Sequence, residues 1–221
     1  VDYINNLKQG ELIGYYESGE IEYKVIYIDN LRQGEEIGLY RSGEIMSRFN
    51  WVNDMQNGEE LGYYKSGELE IKGNVVDNKR EGKYILYFKS GRFKSKMNFE
   101  NNLLQKEQLF YFENGKISAK RNYSNDTIIA EEMGYYKNGE VSYRVNFIEG
   151  LAQGKKISYY ESGELHVKTN YIDNLRQGEQ VFYFKTGEIE YTKLWNKGEQ
   201  TERRLALVIG NANYNKGILE N

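Results

Sequence analysis

Few side chains in this sequence are of the types that carry out chemistry, and their spacing limits what they could do. The chain has no cysteine and a single histidine, His166. It therefore offers no thiolate nucleophile, no disulfide and no metal site rich in cysteine or histidine. His166 stands between Glu164 and Lys168 in a polar column, where a solvent-exposed side chain is the simpler interpretation. We assign no catalytic residue, no cofactor, no cofactor-binding residue and no metal ligand.

Acidic residues in equivalent loops are the other candidates for metal binding. They are Asp29, Asp77 and Asp173. Calcium prefers carboxylate ligands, but the spacing matches neither an EF-hand loop nor the nine-residue calcium repeat. Asp followed by Asn is common in tight turns, because both side chains can hydrogen-bond to nearby backbone. We therefore interpret these acids as turn residues.

Tyrosine forms the most extensive candidate surface. The chain has 21 tyrosines, and many of them recur at an interval of 24 residues. The candidate binding surface consists of Tyr15, Tyr63, Tyr87, Tyr111, Tyr135, Tyr159 and Tyr183. Large exposed aromatic patches often mark partner surfaces, although these rings could instead pack only on one another along a sheet. Both alternatives stay open at this point.

A basic column accompanies the tyrosines. It consists of Lys24, Arg48, Lys72, Lys96, Lys120, Arg144 and Lys168. Such a column could hold an anionic polymer or lipid headgroups, but acidic residues such as Glu20 and Glu22 fill the neighbouring columns. The whole chain carries 30 Lys and Arg against 33 Asp and Glu. We therefore predict cross-strand ion pairs and no nucleic-acid partner, and the charge does not support a membrane partner.

These columns arise from a 24-residue repeat without insertions. A small or polar residue followed by glycine recurs eight times, from Ser18-Gly19 to Thr186-Gly187. A second glycine lies nine residues earlier in six copies, whereas copies five and six have Lys106 and Ala130 there. Between the glycines, apolar and polar residues alternate with the period of a β-strand. Each repeat is therefore predicted to be one β-hairpin.

Glycine after a small residue, flanked by aromatic and β-branched residues, predicts a two-residue hairpin turn. Such a turn would pair Tyr16 with Ile21 on an apolar face and place Tyr15 on the face of Lys24. The predicted fold is all-β: an elongated antiparallel meander of about sixteen strands in eight hairpin repeats, twisted and curled. Because a single hairpin is marginally stable, stacking must stabilise the array.

The repeat has a recognisable motif, roughly G-x-x-x-x-Y-Y-x-[NS]-G-[KE]-[IL]. It stands as GELIGYYESGEI at 10–21, GEELGYYKSGEL at 58–69 and GKKISYYESGEL at 154–165. This motif resembles MORN repeats, in the variant common in bacterial proteins, and the resemblance covers residues 1–198. It implies a β-hairpin array that serves as a scaffold for protein or membrane contacts, and it implies no catalysis.

The repeat pattern ends after Trp195, and residues 199–202 are predicted to be a linker. The segment 203–221 resembles the opening strand of the α/β domain of caspase-like cysteine peptidases. The match is carried by Arg204, Leu205, Ala206, Leu207, Val208, Ile209, Gly210, Asn211 and Tyr214. That family uses a His and a Cys from later strands, and neither lies in 203–221. We expect the chain to be a fragment whose continuation holds the rest of that domain; the alternative is an ordinary buried strand.

The resulting hypothesis is a non-catalytic repeat scaffold that mediates protein–protein contacts, N-terminal to a caspase-family peptidase domain. This fragment itself is expected to have no peptidase activity. A free-standing binding module of the antitoxin type and a membrane-surface scaffold are the alternatives. The N-terminus lacks the features of a signal peptide, and we expect a cytoplasmic location. The sequence predicts neither the identity of the partner nor the oligomeric state.

Overall fold

The computed structural model describes residues 1–205, which form a 22-stranded antiparallel β-sheet. The strands are β1 (Asp2–Ile4), β2 (Leu7–Tyr15), β3 (Ile21–Ile28), β4 (Leu31–Leu39), β5 (Ile45–Val52), β6 (Met55–Gln56), β7 (Gly58–Tyr63), β8 (Leu69–Val76), β9 (Lys79–Arg80), β10 (Gly82–Tyr87), β11 (Phe93–Glu100), β12 (Leu103–Leu104), β13 (Lys106–Tyr111), β14 (Ile117–Ser124), β15 (Thr127–Tyr135), β16 (Val141–Ile148), β17 (Leu151–Tyr159), β18 (Leu165–Ile172), β19 (Leu175–Arg176), β20 (Gly178–Tyr183), β21 (Ile189–Asn196) and β22 (Glu199–Leu205).

The sheet is a meander, because each strand pairs with its neighbours in sequence. Four strands have only two residues: β6, β9, β12 and β19. Each is separated by one residue from the strand that follows, and both pair with the same preceding strand, as β6 and β7 do with β5. The terminal strands β1 and β22 each pair with one neighbour only, so the described sheet is open. The predicted all-β meander is confirmed. The strand number exceeds the predicted sixteen chiefly because of the short segments.

The glycine-containing turn has three residues rather than the predicted two. In the first copy, the Tyr16 carbonyl accepts a hydrogen bond from the Gly19 amide (2.9 Å), and the Tyr16 amide donates to the Glu20 carbonyl (2.9 Å). Gly19 has a φ of +98°. A three-residue loop needs a left-handed residue at its last position, which glycine adopts at little cost. The predicted two-residue turn is therefore wrong.

This turn changes which residues share a face next to it. Tyr15 pairs with Ile21, and Gly14 pairs with Tyr23, so a bulge adds one residue to the second strand. Tyr16 and Ile21 consequently lie on opposite faces, and their predicted pairing is wrong. The bulge shifts the register back by one residue, and the strands beyond it have the register that a two-residue turn would have produced.

The two-residue turn of each repeat lies at the other end of the hairpin. In the first copy it consists of Asp29 and Asn30, with φ values of 51° and 69°, and Ile28 pairs with Leu31 across it. Two successive positive φ values are typical of type I′ turns, which favour Asn and Asp. The interpretation of the loop acids as turn residues is confirmed in this respect.

Strand β22 extends the sheet beyond the predicted end of the array. Residues 199–202, predicted to be a linker, form its first part, and Glu202 pairs with Leu194 of β21. Residues 206–221, which make up most of the predicted caspase-like segment, lie outside the described residues. The assignment of that segment to a separate domain stays a prediction.

One face of the sheet holds the buried side chains, and we call it the packed face. It carries the apolar residues Val25, Trp51, Val75, Tyr84 and Val145. Gln108 is fully buried on the same face. Aromatic rings lie directly over glycines there: a Cβ built on Gly134 would lie 2.2 Å from Cε1 of Tyr143. The sheet therefore covers this face with its own rings.

Candidate functional site

The seven candidate tyrosines lie in one row on the face opposite to the packed face, which we call the tyrosine face. Each of them pairs with an aliphatic or aromatic residue across the hairpin, as Tyr63 does with Leu69 and Tyr87 with Phe93. They are partly exposed, and Tyr15 reaches 58% exposure. The structure thus brings the predicted residues together. Their apolar partners were predicted on the other face, so the row is more hydrophobic than expected.

A second row on the tyrosine face alternates basic and aliphatic side chains. Lys24 pairs with Ile13 on one side and Ile37 on the other, and the pattern recurs along the sheet. The basic groups also approach the tyrosine row: Lys96 Nζ lies 3.6 Å from the centre of the Phe93 ring. Lysine stems can cover apolar surface while their amines contact ring faces. The two rows therefore form one amphipathic surface.

Ion pairs neutralise part of the basic row. Arg48 contacts Glu35 at 2.9 Å, and Lys72 contacts Glu59 at 2.5 Å. The hydrogen bond and charge of Glu59 raise the pKa of the Lys72 amine. Both pairs are solvent-exposed, where such contacts contribute little to stability. Cross-strand ion pairs are therefore present in these two copies, but with Glu35 and Glu59 and not with the acidic columns of Glu20 and Glu22 that the sequence suggested.

The tyrosine face is grooved between the third and fifth copies. One cavity of about 420 Å³ is lined by Lys83, Ile85, Phe93, Lys96 and Leu109, among others. A second cavity of about 560 Å³ lies beside it and includes Lys72 and Glu59 in its lining. Grooves with apolar floors and a few polar groups at the rim are the usual sites for side chains of a bound partner.

The loop acids connect neighbouring turns. Asp77 Oδ1 accepts a hydrogen bond from the Asn57 side-chain amide (3.1 Å), and Asp173 accepts one from Gln153. The adjacent turn residue contributes as well, because Asn78 Oδ1 accepts from the Gln56 backbone amide (2.8 Å). In the part of the chain that the structure describes, no three histidine or carboxylate side chains are grouped so that they could hold a metal ion.

A ladder of hydroxyl bonds lies at the opposite edge of the sheet. Tyr40 donates to the Tyr63 carbonyl (2.8 Å), and Tyr64 donates to the Tyr87 carbonyl (2.8 Å). Tyr160 makes the same bond to the Tyr183 carbonyl (2.7 Å). These bonds hold the backbone of the candidate tyrosines, each from the preceding copy. Their sequence signal is the Tyr-Tyr doublet, whose first residue lies on the tyrosine face and whose second residue supplies the hydroxyl.

Charged groups are also buried on the packed face, where the sequence did not predict them. Tyr143 donates to Glu132 (2.5 Å), and Arg121 Nε lies 3.2 Å from the other Glu132 oxygen. Burial and the bond to Glu132 raise the pKa of Tyr143 to about 12. Burial also raises the pKa of the Glu36 and Glu60 carboxyls.

His166, predicted to be exposed, is only half-exposed and stacks on Tyr160, with ring centres 4.3 Å apart.

Four segments of the chain match a family model described as a MORN repeat variant. They are residues 8–29, 56–77, 104–125 and 152–173. Each begins 48 residues after the last, so the match falls on every second copy of the repeat. The match does not extend to 203–221, and nothing in it supports the resemblance to a peptidase. A comparison with curated proteins finds no match to the chain.

Proposed function

We propose that this chain, with its MORN variant repeats, is a non-catalytic scaffold that binds partner proteins along the tyrosine face. Repeats of this kind are generally protein- or membrane-binding modules. The observation that carries the proposal is the row of seven partly exposed tyrosines, each paired with an aliphatic or aromatic residue. Aromatic side chains supply large contact areas at interfaces for a small loss of rotamer freedom. An extended partner segment would therefore gain contacts from several copies at once.

The hydrogen-bond ladders at both edges support this function. The hydroxyl ladder fixes the backbone of the tyrosine row, and the turn ladder ties each copy to the next. A surface held in this way loses little conformational freedom when a partner binds, and that loss is a major cost of association. The array is therefore suited to recognition by a rigid surface.

The experiment compares partner capture by the full chain with capture by a variant of the row. We expect the variant that combines Tyr63→Ser and Tyr159→Ser to capture much less of the partner protein than the unaltered chain does. The two substitutions interrupt the tyrosine row in two places. Tyr3→Ser is the matched control, since Tyr3 is 63% exposed but lies outside the row. Equal loss of capture in the control variant would contradict a role for the tyrosine face.

We further propose, from the resemblance of residues 203–221 alone, that the array precedes a caspase-like peptidase domain in the cytoplasm. In that arrangement the array recruits or senses a partner and the peptidase domain cleaves. The coding sequence beyond Asn221 tests the proposal, because the chemistry needs a histidine and a cysteine. A continuation without that pair would remove the peptidase from the proposal and leave the scaffold.

One observation favours the alternative of a free-standing binding module. Strand β22 continues the pairing of the array past residue 198, so the region predicted as a linker belongs to the sheet. Specific binding of one toxin protein by the chain, without any peptidase partner, would support this interpretation.

A membrane-surface role is the other alternative. Among the described residues, no helix has the length and apolarity that crossing a bilayer requires. Sedimentation with anionic vesicles tests surface binding.

A further inference from the structure

The fourth hairpin reverses the charges of the first. The positions of Glu11, Glu17, Glu20 and Glu22 in the first copy are occupied in the fourth copy, three repeats further along the chain, by Lys83, Lys89, Arg92 and Lys94. Residues 82–97 contain five basic side chains and no acidic one. The near-neutral net charge of the chain therefore conceals one strongly basic repeat.

These basic groups form no close ion pair with a carboxylate among the described residues, and Lys89 interacts with the Glu68 carboxylate only at longer range. The ion pairs found among residues 1–205 involve none of the basic residues of 82–97. Lys96 contacts the rings of Phe93 and Tyr111 instead, and Arg92 donates to the Glu113 backbone carbonyl (2.9 Å). The positive charge of this repeat is consequently available to a ligand.

Two of these five basic residues, Lys83 and Lys96, line the cavity of about 420 Å³ on the tyrosine face, together with Lys106 of the fifth copy. Ile85, Leu109 and Phe93 provide an apolar lining, and Lys83, Lys96 and Lys106 contribute amines. Glu107 is the acidic residue in the lining. We call this site the basic groove. It offers burial to an apolar side chain and ion pairs to carboxylates next to it.

Lys106 occupies a backbone position that suits glycine. Its φ is +64°, whereas Gly82 and Gly154 at equivalent positions have φ values of +75° and +73°. A residue with a Cβ loses roughly 1–2 kcal/mol in the left-handed region. Strain of this kind is concentrated at functional sites, because selection otherwise removes it. Lys106 is exposed and lines the cavity, so its amine is available to a ligand there.

We infer that the basic groove binds a short acidic segment of a partner protein, with an apolar side chain between carboxylates. This inference rests on the proposed function and specifies the chemistry of the partner. A long polyanion fits less well, because Glu68 and Glu70 precede the basic hairpin and Glu107 and Glu113 follow it. One hairpin spans about 10 Å across the sheet, which suits two to four carboxylates. A cavity also suits a side chain better than a flat bilayer.

The experiment measures the binding of a labelled dodecapeptide of alternating Glu and Leu to the full chain, by fluorescence anisotropy. The same peptide with Gln for Glu is the uncharged probe. We expect Lys83→Glu to weaken binding of the Glu peptide roughly tenfold, since it places a carboxylate at the groove. Lys106→Gly should weaken binding of the Glu peptide severalfold. The same substitution should raise the melting temperature, because glycine adopts the positive φ at little cost, and a raised melting temperature excludes misfolding as the cause of weaker binding.

Ala130→Gly is the matched control for Lys106→Gly. Ala130 has a φ of +61° at the equivalent position of the next copy and lies outside the lining of the cavity. This variant should be equally stabilised and should bind the Glu peptide unchanged. Equal binding of the Glu and Gln peptides would overturn the inference but not the proposed function, which depends on the tyrosine row.

Three other results would also overturn it. They are tighter binding of phosphatidylserine vesicles than of the peptide, tighter binding of duplex DNA, and self-association of the chain that Lys83→Glu abolishes. The last result would assign the groove to the acidic first hairpin of a second copy. Equilibrium sedimentation at two salt concentrations distinguishes it from peptide binding.

Discussion

Some glycines of the packed face are required for space and not for backbone freedom. Gly134→Ala would place a Cβ 2.2 Å from Cε1 of Tyr143, whose hydroxyl donates a hydrogen bond to Glu132. The ring must move and its hydrogen bond weakens, so we expect a loss of about 1–3 kcal/mol in the free energy of unfolding. Urea denaturation of the full chain measures this loss.

Gly62→Ala is the control for this substitution. Its Cβ would meet Ile71 Cβ at 3.3 Å, a contact that a small shift relieves. We expect the control to lose much less stability than Gly134→Ala. Equal losses would indicate that the backbone, and not the overlying ring, requires glycine in this column.

The buried carboxylates make stability depend on pH. Burial raises the pKa of Glu60 above its ordinary value of 4.5, although Arg80 lowers it in part. The neutral acid therefore stabilises the fold below about pH 4.5, and this contribution is lost as the pH rises through the folded pKa. Glu60→Gln should stabilise the chain at pH 7 and change its stability by almost nothing at pH 3.5.

Melting temperatures at both pH values test this expectation. The equivalent positions in copies five and eight already carry Gln108 and Gln180, both buried and hydrogen-bonded. Glu59→Gln is the control, because Glu59 is exposed and paired with Lys72. A gain in Glu59→Gln, or a gain in Glu60→Gln that persists at pH 3.5, would contradict the role of burial.

Residue-scale prediction from the sequence depended on alternation along each strand. Alternation placed Tyr15 with Lys24, and the structure agrees. It failed for Ile21, because a bulge next to the turn moves that residue to the tyrosine face. Glycine at the turn is compatible with both two-residue and three-residue loops, so no local signal distinguished them. Lys106 and Ala130 were visible as departures from the pattern, but their strain required backbone angles.

At the scale of elements, adjacent hairpins are coupled through the hydroxyl ladder. Tyr64→Phe removes the donor to the Tyr87 carbonyl, and Phe88→Tyr would add the missing donor to Tyr111 in the next copy. A hydrogen bond of this type contributes about 1 kcal/mol, so the two variants should shift stability by that amount in opposite directions. Thermal unfolding of both variants tests this.

The double variant separates coupling from a general effect of tyrosine content. Tyr64→Phe with Phe88→Tyr keeps the number of hydroxyls and moves one of them by a single repeat. Because each bond joins only neighbouring copies, the two changes should nearly cancel. A fall in stability as large as that of Tyr64→Phe alone would show that the fourth copy cannot accommodate the hydroxyl.

The hairpin element itself was predictable because every copy repeats the same signals. Eight glycine turns at one interval left few alternatives to stacked hairpins. The ladders were not predictable, since they join residues 20–23 positions apart across the repeat boundary, as in Asp77 with Asn57. A repeat pattern identifies equivalent positions but does not say which neighbouring copy satisfies a given polar group.

At the scale of the whole molecule, the array should tolerate the loss of one complete repeat. Deletion of residues 31–54 joins Asn30 to Met55 and keeps every column in register. Each repeat contributes two strands, so the sheet should shorten by about 10 Å and lose only one repeat with its interface. Deletion of residues 31–53 is the control, because a one-residue slip exchanges the packed and tyrosine faces of a strand.

X-ray scattering should show a shorter particle for the first deletion, and its circular dichroism spectrum should remain that of a β-sheet protein. The second deletion should melt much lower or aggregate. Equal stability of the two deletions would contradict the view that alternation of the two faces determines how the copies stack.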